Sequence, residues 1–229
     1  MTAEEPAQTE EPAQTGEPAP LDMPIEEAMR TQRAIRRLTD EPVDDDLVRR
    51  LVELATKAPS AQDTQAWEFV VVRDPEVKAR LARLNRFVWR LAKPFLARQH
   101  KGDEATERMY RSVEQQVGNL EQTPVLVVCC IRGLRFAFPP VLAASHYGSI
   151  FPAVQNLLLA ARAAGLGANL LTMPLTINWL ARRALGLPWN VTPVAVVPLG
   201  WPKGRYGPNT RRPVGEITSV DRYGNRAWN

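Results

Sequence analysis

The stretch from Ser149 to Ala164 limits most sharply what this chain can fold into. Read as a helix, Ile150, Ala153, Val154, Leu157, Leu158, Ala160 and Ala161 cover most of its surface. A surface helix shows one apolar stripe, so a helix apolar nearly all round must be buried on nearly all sides. That is more cover than one small sheet supplies, and it points to a homodimer. No stretch reaches roughly 18 uninterrupted apolar residues, so no membrane-spanning helix is expected. At 229 residues and 45% apolar, the chain can build a real core and is compatible with one folded domain.

Around this helix the pattern mixes helices and strands. Asp22, Pro24, Glu26 and Glu27 open a helix that runs to about Gln32. A second helix starts at Asp44-Asp45-Asp46, repeats through Leu47, Leu51, Leu54, Ala55 and Ala58, and stops at Pro59. Trp67 to Arg73 reads as a strand, and Asp74-Pro75 opens the next helix. There, Leu81, Leu84, Val88, Leu91 and Phe95 form an apolar stripe, Arg83, Arg86, Arg90 and Lys93 line another face, and Pro94 should kink or break the helix. Residues 100–122 read as polar helix, Val125 to Ile131 as a strand, and 132–147 as a loop. Gly165 is free to take a left-handed cap after the apolar helix. Ala168 to Thr172 is a short strand, Thr176 caps a helix closed by Gly186, and Val194 to Leu199 is the last strand. About 200–229 form an arm without a core of its own. Strands and helices do not strictly alternate, which favours an α+β fold.

Charge is unevenly spread. Residues 1–23 carry six acids and no lysine or arginine, which leaves +10 on the remainder of a chain whose net charge is +4. Glu4-Glu5-Pro6-Ala7-Gln8-Thr9 repeats as Glu10-Glu11-Pro12-Ala13-Gln14-Thr15, a composition that cannot bury enough apolar area to order itself. Residues 1–22 are therefore expected to be a disordered tail and 23–229 a single domain. The tail lacks the basic start and apolar centre of a secretory signal. Cys129 and Cys130 are neighbours in an apolar strand, where adjacent side chains point to opposite faces, so they read as free core thiols in a reducing, cytoplasmic setting. His100 and His146 are the only histidines, and no metal site is expected. The basic body raises nucleic-acid binding, but the six tryptophans are scattered and no nucleic-acid motif appears.

Neither a catalytic triad nor a phosphate-binding glycine loop is present, so the chain is a binder or an enzyme whose cofactor performs the reaction. Three segments stand out. In Gln32-Arg33-Ala34-Ile35-Arg36-Arg37, Arg33 and Arg36 can converge on one anion if the helix unwinds there; otherwise they are a solvated helix face. In Pro59-Ser60-Ala61-Gln62-Asp63-Thr64-Gln65-Ala66-Trp67, small residues let backbone amides approach a flat ligand, though an ordinary helix-to-strand loop has the same look. The third pairs Pro198-Leu199-Gly200-Trp201-Pro202 with Arg211-Arg212-Pro213, a strand end followed by a basic arm.

In order and spacing, the three segments resemble the FMN-dependent nitroreductase family. The family's Arg-Arg-Ser-x-Arg run is matched by Gln32-Arg33-Ala34-Ile35-Arg36, with Glu41-Pro42-Val43 after it. Its Pro-Ser-x-x-Asn-x-Gln-Pro-Trp-x-Phe run is matched by Pro59 to Phe69, with Asp63 at the Asn position and Ala66 at the second Pro. Gln155 to Ala161, Gly165-Leu166-Gly167, Pro198-Leu199-Gly200 and Arg211-Arg212-Pro213 continue the match, which spans about residues 24–218.

The resemblance implies an α+β nitroreductase-like fold: a mostly antiparallel central sheet flanked by helices, in an intertwined homodimer with an FMN at each of two interface sites. It assigns Gln32, Arg33, Ala34 and Arg36 to the phosphate and ribityl chain, with Arg211 on the phosphate. Pro59, Ser60, Ala61 and Asp63 lie against the flavin, in the family often from the other subunit, and Leu171, Thr172 and Met173 sit behind its ring. Gln32 removes one of the family's charges, for which Arg37 and Arg212 can substitute. No side chain is implied as catalytic, because the flavin carries hydride from NADPH or NADH to a nitroaromatic or quinone-like acceptor in ping-pong order. The Arg83, Arg86, Arg90 and Lys93 cluster is a candidate for the extra phosphate of NADPH. Dehalogenating or flavin-fragmenting relatives, and a non-enzymatic flavin-binding protein, are the competing readings.

Overall fold

A computed structural model describes residues 21–99, 103–133 and 140–226. The acidic repeat therefore lies outside the described residues. The elements are α1 (Ile25–Thr31), α2 (Asp45–Ala55), β1 (Trp67–Val72), α3 (Pro75–Gln99), α4 (Glu104–Asn119), β2 (Val125–Arg132), α5 (Pro140–Ala163), β3 (Gly167–Ala168), α6 (Asn178–Leu185), β4 (Val191–Gly200) and α7 (Val214–Ile217). The four strands form one antiparallel sheet in the order β1-β2-β4-β3.

The central strand β2 is apolar at nearly every position because both of its faces are covered. Val125, Val127, Cys129 and Ile131 point into a core shared with Leu51 of α2 and Leu157 of α5. Leu126, Val128 and Cys130 point into a second core with Leu81 of α3 and Ala181 of α6. The cysteines thus separate to opposite faces, as strand geometry requires, and both are free thiols. Burial raises both thiol pKa values, that of Cys130 to about 12, so neither is a nucleophile at neutral pH. A bulge between Cys129 and Cys130 shifts the register so that they pair with Ala195 and Pro193, which lets a strand tolerate a proline there.

Asp44 caps α2, its carboxylate accepting from the backbone N–H groups of Asp46 and Leu47, as the acidic run led one to expect. Several boundaries differ from the sequence reading. Pro24, not Asp22, is the N-cap of α1, and no side chain caps it. Helix α2 ends at Ala55, before Ala58. Helix α3 passes through Pro94, which is exposed, so the carbonyl that loses its partner there can face water. Helix α5 starts at Pro140, inside the expected loop: a proline suits a first helical turn, and Gly148 hides the continuity. The expected strand at 168–172 shrinks to Gly167–Ala168 plus a single bridge from Leu171 to Val196. Ile177 rather than Thr176 precedes α6, while Gly186 closes it at φ 65° and β4 begins three residues early, at Val191.

The apolar half of α5 behaves differently from the expectation that led to a dimer. Ile150, Ala153, Val154, Leu157, Leu158, Ala160 and Ala161 are all buried within one protomer. Helices α1 and α2, the sheet and the turn at Ala61–Asp63 cover this helix between them. Its burial therefore does not require a second copy.

Candidate functional site

Helix α1 unwinds at Gln32, and the next residues run extended. Ile35 N–H donates to Ala168 O at 3.1 Å, Thr39 N–H to Trp201 O at 2.8 Å, and Lys203 N–H to Arg37 O at 2.9 Å. The segment is thus laced to the ends of β3 and β4. Gly167 makes the approach possible: a Cβ there would stand 2.5 Å from Leu38 Cδ2 and 2.8 Å from Ile35 Cγ2. The Gly-Leu-Gly exit from α5 serves twice, since Gly165 takes φ +78° to end the helix.

This lacing brings Arg33, Ala34, Arg36 and Arg37 together with Lys203 and Arg205 around a cavity of about 190 Å³ that no carboxylate lines. A Cβ at Gly207 would stand 3.6 Å from Arg33 Nη1, so the arm passes beside this guanidinium. Arg36 is half-buried, and its pKa is lowered first by burial and then by Arg33 beside it. Neither arginine has an ion-pair partner among the described residues. Arg36, Arg37 and Lys203 also border a second space of about 290 Å³, lined by the carboxamides of Gln115, Gln116, Asn119 and Gln122 and by Asp40. Beneath it, the buried amides of Gln116 and Asn169 exchange hydrogen bonds at 2.6 and 3.2 Å, fixing α4 to the chain after β3.

Gln32 caps α1, and its carbonyl accepts from Asn209 Nδ2 at 3.2 Å. Asn209 N–H also donates to Arg30 O at 2.9 Å, so the arm is pinned to the start of the arginine segment. Arg211 follows two residues later, exposed, and its guanidinium donates to Thr210 O. It does not line the 190 Å³ cavity.

The Pro59–Asp63 segment is a strained, hydrogen-bonded ledge. Gln62, Asp63 and Gln65 adopt φ of 54°, 52° and 45°, a region that costs non-glycine residues on the order of 1 kcal/mol each. Side chains hold the shape. Ser60 Oγ accepts from Gln65 N–H at 3.1 Å, and Ala61 N–H donates to Ser149 Oγ at 3.0 Å. Gln65 Nε2 donates to the Asp63 carboxylate at 2.9 Å. Pro59, Ala61 and Asp63 are exposed on this ledge. Of the third group, Leu171 turns into the core on the α3 side, whereas Thr172 is exposed and Met173 half-buried.

The ledge and the arginine segment are anchored at different points of α5. Both touch α5, the ledge at Ser149 and the start of the arginine segment at Arg162, which donates to Thr31 Oγ1 at 2.9 Å. Those 13 residues of helix span roughly 20 Å at 1.5 Å per residue. Sequence reasoning missed Lys203, Arg205 and Ser149. Lys203 follows the matched Pro198–Pro202 segment and could have been read as its basic extension, whereas nothing in the sequence marks Ser149 as an anchor for a loop 88 residues earlier.

The Arg83, Arg86, Arg90 and Lys93 cluster is partly neutralised. Arg86 pairs with Glu121 at 3.2 Å, Lys93 pairs with Glu114 at 2.5 Å, Arg90 lies over the Phe87 ring, and Arg83 faces α6. Two of the four charges are thus met by acids from α4 and the turn after it.

The site thus sets an arginine pair, without ion-pair partners among the described residues, beside a cavity of about 190 Å³, and presents an exposed small-residue ledge on the same chain. The sequence profile of the Nitroreductase family matches residues 29–201, and the chain belongs to that family. A protein from Methanothermobacter thermautotrophicus, provisionally named an NADH dehydrogenase/NAD(P)H nitroreductase, is 28% identical over 180 residues, covering 77% of this chain and 76% of its own. Rat iodotyrosine deiodinase 1 is 27% identical over 195 residues, covering 81% of this chain and 65% of its own. Among solved structures, a provisionally named nitroreductase from Desulfovibrio desulfuricans in complex with FMN aligns with TM-score 0.65 and 26% identity over 88% of this chain and 99% of that one. The fold is nitroreductase-like and α+β, and the chain is an oxidoreductase of a flavoprotein family.

Proposed function

We propose that this chain is an FMN-dependent NAD(P)H oxidoreductase of the cytoplasm that reduces nitroaromatic or quinone-like acceptors as a homodimer. The observation that carries the reading is the cavity of Arg33 and Arg36, two adjacent guanidiniums without a carboxylate, which fits a phosphate dianion. Bound FMN supplies two-electron hydride chemistry between a nicotinamide and an acceptor. Arg33, Arg36, Lys203 and Arg205 hold its phosphate, Gln32 and Ala34 border its ribityl chain, and Arg211 adds charge from the arm. Thr172 and Met173 back the ring, with Leu171 supporting them from the core. Pro59, Ser60 and Ala61 come from the partner subunit, as the family resemblance implies; the ledge and the arginine segment of one protomer are anchored roughly 20 Å apart along α5. Asp63, already accepting from Gln65, takes a donor rather than offering one, so it differs there from the amide usual in the family.

A second reading, reductive dehalogenation, is favoured by the iodotyrosine deiodinase relative and by a deiodinase structure bound to FMN and 3-iodo-L-tyrosine, which aligns with TM-score 0.66 at 20% identity over 87% of this chain. One experiment separates them. The purified protein should be yellow with about one FMN per subunit. Anaerobic reduction with NADH and NADPH in turn, followed by reoxidation with nitroaromatics, quinones and 3-iodotyrosine, then identifies donor and acceptor. Reoxidation by 3-iodotyrosine alone would replace the first reading with the second, and protein that stays colourless after incubation with FMN would end both.

A further inference from the structure

A second cationic cavity lies between α3 and α6, and it shares no lining residue with the arginine cavity described above. Its volume is about 450 Å³, within the size range of small-molecule pockets. Arg80 and Arg83 line it from α3 and Arg183 from α6, and Leu84, Leu180 and Ala184 supply an apolar remainder. Only Arg80 has an acid nearby, Glu76 at 3.4 Å on the exposed side of the same helix. Arg83 and Arg183 have no carboxylate partner among the described residues. Arg183 is also not needed to close its own helix, which Gly186 ends, while its neighbour Arg182 is engaged with the carbonyls of Val191 and Pro188.

Three guanidiniums gathered from two helices repel one another unless an anion lies between them. Their planar forks match tetrahedral oxygens, and more than one positive charge favours a dianion over a carboxylate. The leucines on the same walls offer contact to a body attached to that anion. We propose that this cavity binds a small phosphate monoester carrying an apolar or aromatic group, at a site separate from the flavin site.

The test is calorimetric titration of the purified full chain with phenyl phosphate, inorganic phosphate and benzoate. It is run on Arg36→Ala, in which the first cavity is weakened, and on the same variant carrying Arg83→Ala and Arg183→Ala. The wild type and Arg83→Ala/Arg183→Ala repeat the comparison in case Arg36→Ala folds poorly. Phenyl phosphate should bind Arg36→Ala at one site per chain, about tenfold or more tighter than either inorganic phosphate or benzoate. Removing Arg83 and Arg183 should weaken it by about tenfold or more, since charge-assisted bonds are the strong ones, with the melting temperature unchanged because both residues are exposed. Equal affinity with and without Arg83 and Arg183, no binding to Arg36→Ala or the wild type, or equal affinity for inorganic phosphate would each overturn the proposal. The wild-type pair is titrated with FMN saturating, so that the first cavity is closed to phenyl phosphate, and the Arg36→Ala pair reads the second cavity whether or not FMN binds.

Discussion

Arg36 stands where a charge is disfavoured: burial and the neighbouring Arg33 both lower its pKa, and no carboxylate offsets either effect. A bound phosphate would reverse that balance through charge-assisted hydrogen bonds worth on the order of 1.5–3 kcal/mol. Arg36→Ala should therefore weaken FMN binding by roughly ten- to a hundredfold, while Arg90→Ala, placed over Phe87, should leave it unchanged. Turnover should return at saturating FMN, because the phosphate contacts supply binding rather than transition-state stabilisation. Fluorescence titration with FMN checks the first expectation, and equal affinity for wild type and variant would remove the arginine pair from the site. Gly167 tests the same segment from beneath. A methyl group there meets Leu38 Cδ2, which can swing away, and Ile35 Cγ2, which is stiff at χ1. Gly167→Ala should cost about 1–3 kcal/mol in urea unfolding and loosen FMN along with it. Unchanged stability and affinity would show that the segment tolerates the shift. The arginines could be picked out from the sequence because residue type and spacing suffice for a cation pair. Lys203 needed the Pro198–Pro202 segment to be read one residue further, and Ser149 could not be found, because a long-range loop anchor brings it in.

Elements were legible where one physical signal dominated. The Asp44 cap, the nearly all-apolar β2 and the left-handed Gly165 and Gly186 all follow from local chemistry, and the structure keeps them. The reading slipped where a breaker was outvoted by packing: α5 begins at Pro140 and runs through Gly148, and Pro94 does not break α3. The arm had no core signal of its own, yet it is tied down by single polar contacts. Tyr206 donates to the carbonyl of Leu166, and its ring lies under the Arg162 guanidinium at 4.1 Å. Burial raises the Tyr206 pKa from 10.0 to about 12, against a smaller opposite pull from Arg162. The folded state therefore holds the phenol proton more tightly than the unfolded one. The corresponding stability is fully present below pH 10 and is lost as pH rises towards 12. Wild type should lose more stability than Tyr206→Phe across that interval, by urea titration at several pH values. Parallel losses would mean that the phenol contributes nothing to holding the arm.

At the scale of the whole molecule, the apolar surface left uncovered is what argues for a partner. Ile25 and Met29 on α1, Leu91 and Phe95 on α3, and Val214 and Ile217 on α7 are each more than half exposed and sit at helical spacing. Such repeated patches are unusual on a monomer, and an obligate dimer would cover upwards of roughly 2,000 Å². The sequence argued for the same assembly from α5, but one protomer already buries the apolar residues named there, so the argument passes to these exposed patches. Light scattering at micromolar protein should give twice the mass of one chain. The sharper consequence concerns the two halves of the site. If the arginines of one subunit meet the Pro59–Ala61 ledge of the other, an Arg33→Ala/Arg36→Ala chain and an Ala61→Trp chain each form homodimers without a working site. Their heterodimer has one doubly altered site and one intact site. Random mixing makes half the dimers hetero, so co-refolding the two chains with distinct tags should restore about a quarter of wild-type FMN content. Sites contained within single subunits would restore none, because every chain in the mixture carries a defect. Heterodimers verified by tandem affinity capture and still empty of FMN would place the ledge and the arginines of each site in one protomer.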